Sequence, residues 1–372
     1  MGVTIAPFEA ACKLRLHHNL SDYGTVLSFC DTLSKPQSQM EAAMTKVKWG
    51  VISTANIGVA KVLPGMLKSP DIEIVAISSR NLKIAQEWAA KLGIPKAYGS
   101  YEAMLADPEI ECVYNPLPNH LHVPLTMAAA KAGKHVLCEK PIAITAKEAK
   151  KLKKAPRKIQ IAEAFMVRHA LQWIDTKKRV KAGEIGEVRA IQVMFSYFNN
   201  DPKNVRNDAK IGGGGLLDIG CYPITISRFI FDGEPKRVIG TIDRDPKFKT
   251  DRLMGGLADF GKGRHLSFTI STQLSNYQRV QIMGTKGRIE IEIPFNAPPD
   301  VPNRIFVQSD TTQVGEWHSY PVSDQYQLQA EAFGRSIRAK KKLAWGVDDA
   351  IKNMKIIDAF FKSEKSKKWE KV

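Results

Sequence analysis

Residues 47–58 read VKWGVISTANIG. The first six, rich in valine, isoleucine and tryptophan, have the composition of a short buried strand. The next six are small or polar and pass into IGVAKVLPGMLKS, a helix candidate in which Pro64 is expected to force a kink or a break. Strand, small-residue turn and helix in that order open a dinucleotide-binding unit, whose fingerprint is G-x-G-x-x-G. Aligned on its last glycine, this chain offers Ser53, Thr54, Ala55, Asn56, Ile57 and Gly58. Serine and alanine replace the first two glycines, and both are small enough for a backbone to approach a pyrophosphate at a helix N-terminus. Alone the match is weak, so the rest of the chain has to decide.

Downstream, strand and helix signals alternate. EIVAISS (73–79) reads as a strand, and NLKIAQEWAAKLG (81–93) as an amphipathic helix stopped by Gly93. IECVYNP (110–116), HVPLTMAAAKAGK (122–134) and HVLCEKP (135–141) repeat the pattern as strand, helix and strand. Such spacing predicts an α/β domain with a parallel, doubly wound sheet. After about residue 160 the pattern changes. EVRAIQVMFSYF (187–198) is a long alternating strand, followed by KRVIGTID, HLSFTISTQL, RVQIMGTKGRIEIEI and RIFVQS, with a hairpin turn at 284–288. These predict an α+β domain with a mostly antiparallel sheet. The expected division is an extension over 1–45, disordered or the product of an upstream start, a dinucleotide-binding domain over 46–165, and a second domain over 166–372 that binds substrate and forms oligomers.

A chain of 372 residues with 44% hydrophobic and 25% charged content is long enough for two domains with real cores. No apolar run is long enough for a bilayer, and the first twenty residues lack the basic start of a signal peptide. Cys12, Cys30, Cys112, Cys138 and Cys221 are odd in number and form no CxxC pair, so they read as reduced thiols of a cytoplasmic protein, with no metal site. The net charge of +17 falls mainly on three helical-looking stretches without interleaved aromatics, which argues against a nucleic-acid partner. A membrane partner is not expected either.

Four further stretches carry candidate chemistry. In ISSRNLK (77–83), no acid lies between residues 74 and 86, where a carboxylate would hold the ribose of NAD. Ser79, Arg80 and Lys83 suit an anionic 2′-phosphate instead, so NADP is expected and NAD less so. Read as structure alone, Arg80 is a surface arginine. In NPLPNHLH (115–122), Asn119 starts a helix, and His120 and His122 read as a capping and a partly buried residue, since no ligand partner has metal spacing. HVLCEKP leaves a buried strand through Glu139, Lys140 and Pro141; alone it reads most simply as a solvated charged exit, but it also places an ammonium at a strand's carboxyl end, where open α/β sheets bind ligands. In GGGGLLDIGCYP (212–223), four glycines imply a backbone pressed close to a ligand, and Asp218 and Tyr222, four apart, can share a helix face.

Together these motifs resemble the glucose–fructose oxidoreductase / inositol dehydrogenase (Gfo/Idh/MocA) family, from about Lys46 to near the C-terminus. AGKHVLCEKP and GGGxLxDIGCYP carry the resemblance most specifically. EAFMVRH (163–169) and Tyr222 place it nearest the branch with glucose–fructose oxidoreductase, dihydrodiol dehydrogenase and NADP-linked xylose dehydrogenases. The resemblance implies a Rossmann domain, a second domain with a large open sheet that joins dimers or tetramers, and hydride transfer between NADP(H) and a sugar or polyol hydroxyl or carbonyl. It implies Lys140 as the amine that hydrogen-bonds the substrate and also contacts the nicotinamide ribose of the cofactor, with a cis bond to Pro141. Tyr222 is implied as acid/base with its pKa lowered by Lys140, Asp218 as the group orienting substrate, and Arg168 as a further substrate contact. Pro116, Asn119, His120 and Glu139 join the turn residues 53–58 as cofactor contacts. The rivals are a dihydrodiol dehydrogenase or dicarbonyl reductase, and a non-catalytic NADP-binding regulator.

Overall fold

The computed structural model describes residues 46–310 and 312–372. The expectations for the 1–45 extension, with Cys12 and Cys30, lie outside the described residues.

Six strands, β1 (Val47–Ile52), β2 (Ile72–Ser78), β3 (Lys96–Tyr98), β4 (Cys112–Asn115), β5 (His135–Cys138) and β6 (Ile161–Glu163), form a wholly parallel sheet in the order β3-β2-β1-β4-β5-β6. This is the doubly wound arrangement, with its switch point between β1 and β4. Helices α1 (Leu63–Met66), α2 (Leu82–Leu92), α3 (Tyr101–Leu105), α4 (Asn119–Lys131) and α5 (Ala146–Ala149) connect the strands. Local chemistry sets their ends. The Asn81 side chain accepts from Lys83 N and Ile84 N to start α2, and Gly93 ends it in the left-handed conformation at φ 68°.

Pro64 neither breaks nor ends its helix. The turn before it, Gly58–Val62, is a π turn that runs directly into α1, so the wider register sits next to the proline that has no N–H to give. The same device recurs at Leu216–Gly220, a π turn ahead of α7 (Cys221–Phe231), which contains Pro223.

After α6 (Leu171–Lys181), nine strands form the second sheet: β7 (Val188–Phe198), β8 (Arg237–Arg244), β9 (Asp251–Gly261), β10 (Arg264–Ser271), β11 (Gln273–Gly284), β12 (Gly287–Ile291), β13 (Arg304–Ser309), β14 (Thr312–Ser319) and β15 (Glu370–Lys371). The order is β14-β13-β12-β11-β7-β10-β9-β8-β15, antiparallel except for β7 beside β10. β11 and β12 meet through the hairpin foreseen at 284–288. β9 escaped the sequence reading because Gly255 and Gly256 interrupt its pattern. At Gly256 a Cβ would lie 2.5 Å from Phe268 Cζ, so the glycine makes room for the aromatic ring that packs on Phe360 of α9 (Val347–Ser366).

The last two helices join the layers. α8 (Gln325–Arg338) returns to the first sheet, where Phe333 packs on Trp49 with ring centroids 5.6 Å apart, while α9 covers the second sheet. Among the described residues, no helix is long and apolar enough to cross a membrane.

Candidate active site

The carboxyl ends of β1, β4 and β5 open into a cleft of about 670 Å³, closed from the other side by the 199–213 segment and the Leu216–Gly220 turn. Of the residues singled out from sequence, Ala55, Asn56, Ile57, Pro116, Asn119, Glu139, Lys140, Asp218 and Tyr222 line it. Ser53, Thr54, Gly58, Ser79, Arg80, Lys83, His120 and Arg168 are not among its lining residues.

The first turn fits a dinucleotide despite its altered fingerprint. Ser53 takes φ 81°, the left-handed conformation for which the motif normally uses glycine, and its Oγ accepts from Ala55 N at 3.1 Å. Gly58 keeps the third glycine's packing role, because a Cβ there would stand 3.3 Å from Pro116 Cγ. At the end of β2, Arg80 and Lys83 are exposed and neither forms an ion pair with another described residue, while Ser79 Oγ accepts from Asn81 N at 3.3 Å. Cation and hydroxyl thus stand where an acid would be needed for unphosphorylated ribose.

Lys140 stands at the centre. Its bond to Pro141 is cis. Its Nζ donates to the Asp218 carbonyl at 2.6 Å and to Asp218 Oδ1 at 3.2 Å, and lies 5.0 Å from the centre of the Tyr222 ring. Burial works against the charge on Lys140, but Asp218 and Glu139 outweigh it and the pKa is raised, so the amine is an ammonium at neutral pH. An ammonium has three hydrogens, and two acceptors on Asp218 leave one for a ligand oxygen.

Asp218 binds more than Lys140. Its Oδ2 accepts from Tyr197 Oη at 2.6 Å and from Arg206 Nε at 3.0 Å. Burial alone would raise its pKa, yet Arg206, Lys140 and Tyr197 together hold the carboxyl well below the usual range. Three hydrogen bonds to this carboxylate thus come from its own chain, the one from Lys140 among them, while Asp218 still lines the cleft. Tyr197 stands near the end of an alternating strand and Arg206 in the short 3-10 turn Val205–Asn207, so neither carried a signal in sequence; only the fold brings them to Asp218.

Three expectations meet a different geometry. Tyr222 is not acidified by Lys140: burial pushes its phenol well up, the ammonium lies over the ring face, and its hydroxyl donates to Met166 Sδ at 3.5 Å. Arg168 does not reach the cleft; its guanidinium pairs with Asp349 at 2.7 Å and stacks 4.9 Å from the Trp345 ring. The glycine run is only partly set against the cleft: Gly212 and Gly213 line it, while the tightest contacts of the run are with protein. A Cβ on Gly213 would lie 2.5 Å from Arg206 O, and one on Gly214, at φ 122°, would lie within bonding range of Asp251 Oδ1. Asn119 spends its side chain on the same segment, donating to Gly212 O at 2.7 Å.

Around Lys140 the support is buried and polar. Glu139 accepts from Tyr114 Oη at 2.6 Å, and burial raises its pKa. His122, read from sequence as partly buried, is enclosed, with Nδ1 2.7 Å from Pro141 O and Nε2 2.5 Å from Leu117 O. Two carbonyl partners would call for two ring protons, but burial pushes the pKa down to about 4. At neutral pH the ring therefore carries one proton and holds one of the two carbonyls by a hydrogen bond.

A parallel sheet with a cleft at its switch point, and a strand–turn–helix opening at β1, is the architecture of a dinucleotide-binding domain. Residues 47–167 match the oxidoreductase family with an NAD-binding Rossmann fold, and residues 173–290 match the GFO/IDH/MocA C-terminal domain. The chain belongs to the Gfo/Idh/MocA family of oxidoreductases. It is 44% identical over 336 residues to an uncharacterized oxidoreductase of Rhizobium meliloti, covering 88% of this chain and 100% of the relative. It is 34% identical over 321 residues to a D-xylose 1-dehydrogenase (NADP(+)) of Haloferax volcanii, covering 85% and 96%. Among solved structures, KijD10, a 3-ketoreductase from Actinomadura kijaniata in complex with NADP and TDP-benzene, superposes with a TM-score of 0.80 at 25% identity, covering 86% of this chain and 98% of that one.

Proposed function

We propose that the protein is an NADP(H)-dependent oxidoreductase acting on a CH–OH or carbonyl group of a sugar or polyol. The observation that carries this reading is the Lys140 ammonium, held by Asp218 with one hydrogen to spare, in the same cleft as the Ala55–Asn56–Ile57 turn. When bound, the nicotinamide supplies the hydride acceptor or donor. The chain's own groups place the substrate. Lys140 donates to the reacting oxygen and stabilises negative charge on it. Tyr222, whose buried phenol keeps its proton, supplies that proton when a carbonyl is reduced and takes one back in the reverse direction. The weak thioether acceptor on its hydroxyl leaves that hydrogen transferable. Asp218, Tyr197 and Arg206 keep Lys140 charged and aimed.

For cofactor choice, Arg80 and Lys83 with Ser79 support NADP over NAD, and the named cofactors of the Haloferax relative and of the KijD10 complex agree. The proposed homo-oligomer forms through the second sheet, whose open face carries a shallow groove lined by Met194, Ile239, Leu257 and Tyr277. Both Leu257 and Tyr277 are more than 40% exposed.

The test is a screen of aldoses, inositols and dihydrodiols that follows NADPH absorbance. Turnover of an aldose or inositol supports the proposal. Turnover of dihydrodiols alone supports the dihydrodiol reading instead, and NADPH binding without turnover of any of them supports a non-catalytic role.

A further inference from the structure

The residue after Lys140–Pro141 begins a peptide unit that is gripped at both polar ends by buried side chains. Its carbonyl, Pro141 O, lies 2.7 Å from His122 Nδ1, and its amide, Ile142 N, donates to Glu163 Oε1 at 2.7 Å. The two side chains come from different elements, α4 and the end of β6. Both are enclosed, His122 at 1% and Glu163 at 7% exposed. This grip places the ring's one proton on Nδ1, towards Pro141 O, while Nε2 lies 2.5 Å from Leu117 O at the exit of β4.

Burying an imidazole and a carboxyl is unfavourable unless each group is used. Glu163 is not used for an ion pair. The nearby guanidiniums of Arg168 and Arg228 pair with Asp349 instead, and Glu163 Oε2 meets no partner among the described residues. What the carboxyl does is hold Ile142. Two side chains from separate elements converging on one peptide is the arrangement by which proteins fix a neighbouring functional group to within a fraction of an ångström.

We propose that His122 and Glu163 are positioning residues for Lys140, clamping the single peptide that follows Lys140–Pro141 and so setting where the ammonium stands in the cleft. The inference rests on the reading of Lys140 as the group that polarises the substrate oxygen. With the peptide free to rotate, the Lys140 Cα shifts relative to the Asp218 turn across the cleft, and the 2.6 Å bond to the Asp218 carbonyl is lost.

The experiment compares Glu163→Leu and His122→Leu with the conservative Glu163→Gln and His122→Asn, which keep an acceptor for Ile142 and a donor for Pro141. Three quantities are read: kcat on the best substrate, the Kd for NADPH by fluorescence, and the Lys140 13Cε NMR signal, assigned with Lys140→Arg. In the leucine variants kcat falls on the order of 100-fold, NADPH Kd stays within about threefold, and the Lys140 signal moves. The conservative variants hold all three near wild type. If a leucine variant does not fold, Glu163→Asp, one methylene short of Ile142, takes its place with the same expectation. A Lys140 signal that stays at its wild-type position in a folded leucine or Glu163→Asp variant overturns the proposal, as does a parallel loss of NADPH binding and turnover. If the wild type turns over no sugar, the NMR comparison still decides the clamp, so failure of the enzymatic reading and failure of the clamp are separate results.

Discussion

Lys140 and Asp218 are joined twice across the cleft, the ammonium bonding the aspartate's carbonyl at 2.6 Å and its carboxylate at 3.2 Å. One residue leaves the fifth strand of the parallel sheet, and the other sits in a π turn of the second domain. The pair therefore joins two positions 78 residues apart in the chain. A π turn exposes backbone that a regular helix would use internally, and here the Asp218 carbonyl is turned to a lysine from another domain.

Replacing Asp218 by Asn removes the charge that holds Lys140, Tyr197 and Arg206 together. We expect kcat to fall about 10- to 100-fold with little change in NADPH affinity, since the lost interactions lie on the substrate side. There is also a stability signature. The folded pKa of Asp218 is depressed, so its contribution is complete above the ordinary carboxylate range and is lost as pH falls through the lower folded value. Acid titration of Tm should show a shallower loss below about pH 4 in Asp218→Asn than in wild type.

Arg80→Ala should weaken NADPH binding roughly 10- to 100-fold, the value of one charge-assisted contact to a phosphate, and leave NADH binding unchanged. Parallel fluorescence titrations measure both. Equal loss for the two cofactors would place Arg80 outside the 2′-phosphate site.

Gly214→Ala should destabilise the fold by roughly 3 kcal/mol or more, because it combines a left-handed backbone with a collision at Asp251. A drop in the denaturant midpoint is the readout. A variant with wild-type stability would mean that the segment relaxes freely and that Asp251 does not set its course.

Glu163 predicts the opposite pH trend from Asp218. Burial raises its pKa from 4.5 to about 8, with Asp349 adding to the rise and Arg168 and Arg228 opposing it. The folded state then holds a proton that the unfolded state has released. Stability from this group is complete below the unfolded pKa and is lost as pH rises towards 8. Tm profiles of Glu163→Gln should lack that part of the decline, while an unchanged slope would show that Glu163 does not titrate there.

Much of the first sheet was readable because short-range chemistry dictates it. Buried strands, Asn81 as a cap and Gly93 as a stop are decided within a few residues. Lys140 stood out as an ammonium at the end of a buried strand, but that stretch alone read as readily as a solvated exit, and its expected role came from the resemblance. What failed was decided by distant partners. Arg168 looks like a free cation until Asp349, 181 positions later, takes it. Gly214 looks like part of a ligand cradle until Asp251 takes the space beside it. Tyr197 and Arg206 carry no local signature, yet they hold the carboxylate on which the lysine depends.

The most direct measurement is turnover and NADPH binding in Lys140→Ala on the best substrate from the sugar and polyol screen. The account predicts a kcat lower by about 1,000-fold with NADPH Kd within about threefold of wild type, since the amine acts on the reacting oxygen and not on the phosphates. A folded Lys140→Ala protein that turns over its substrate at the wild-type rate would contradict it.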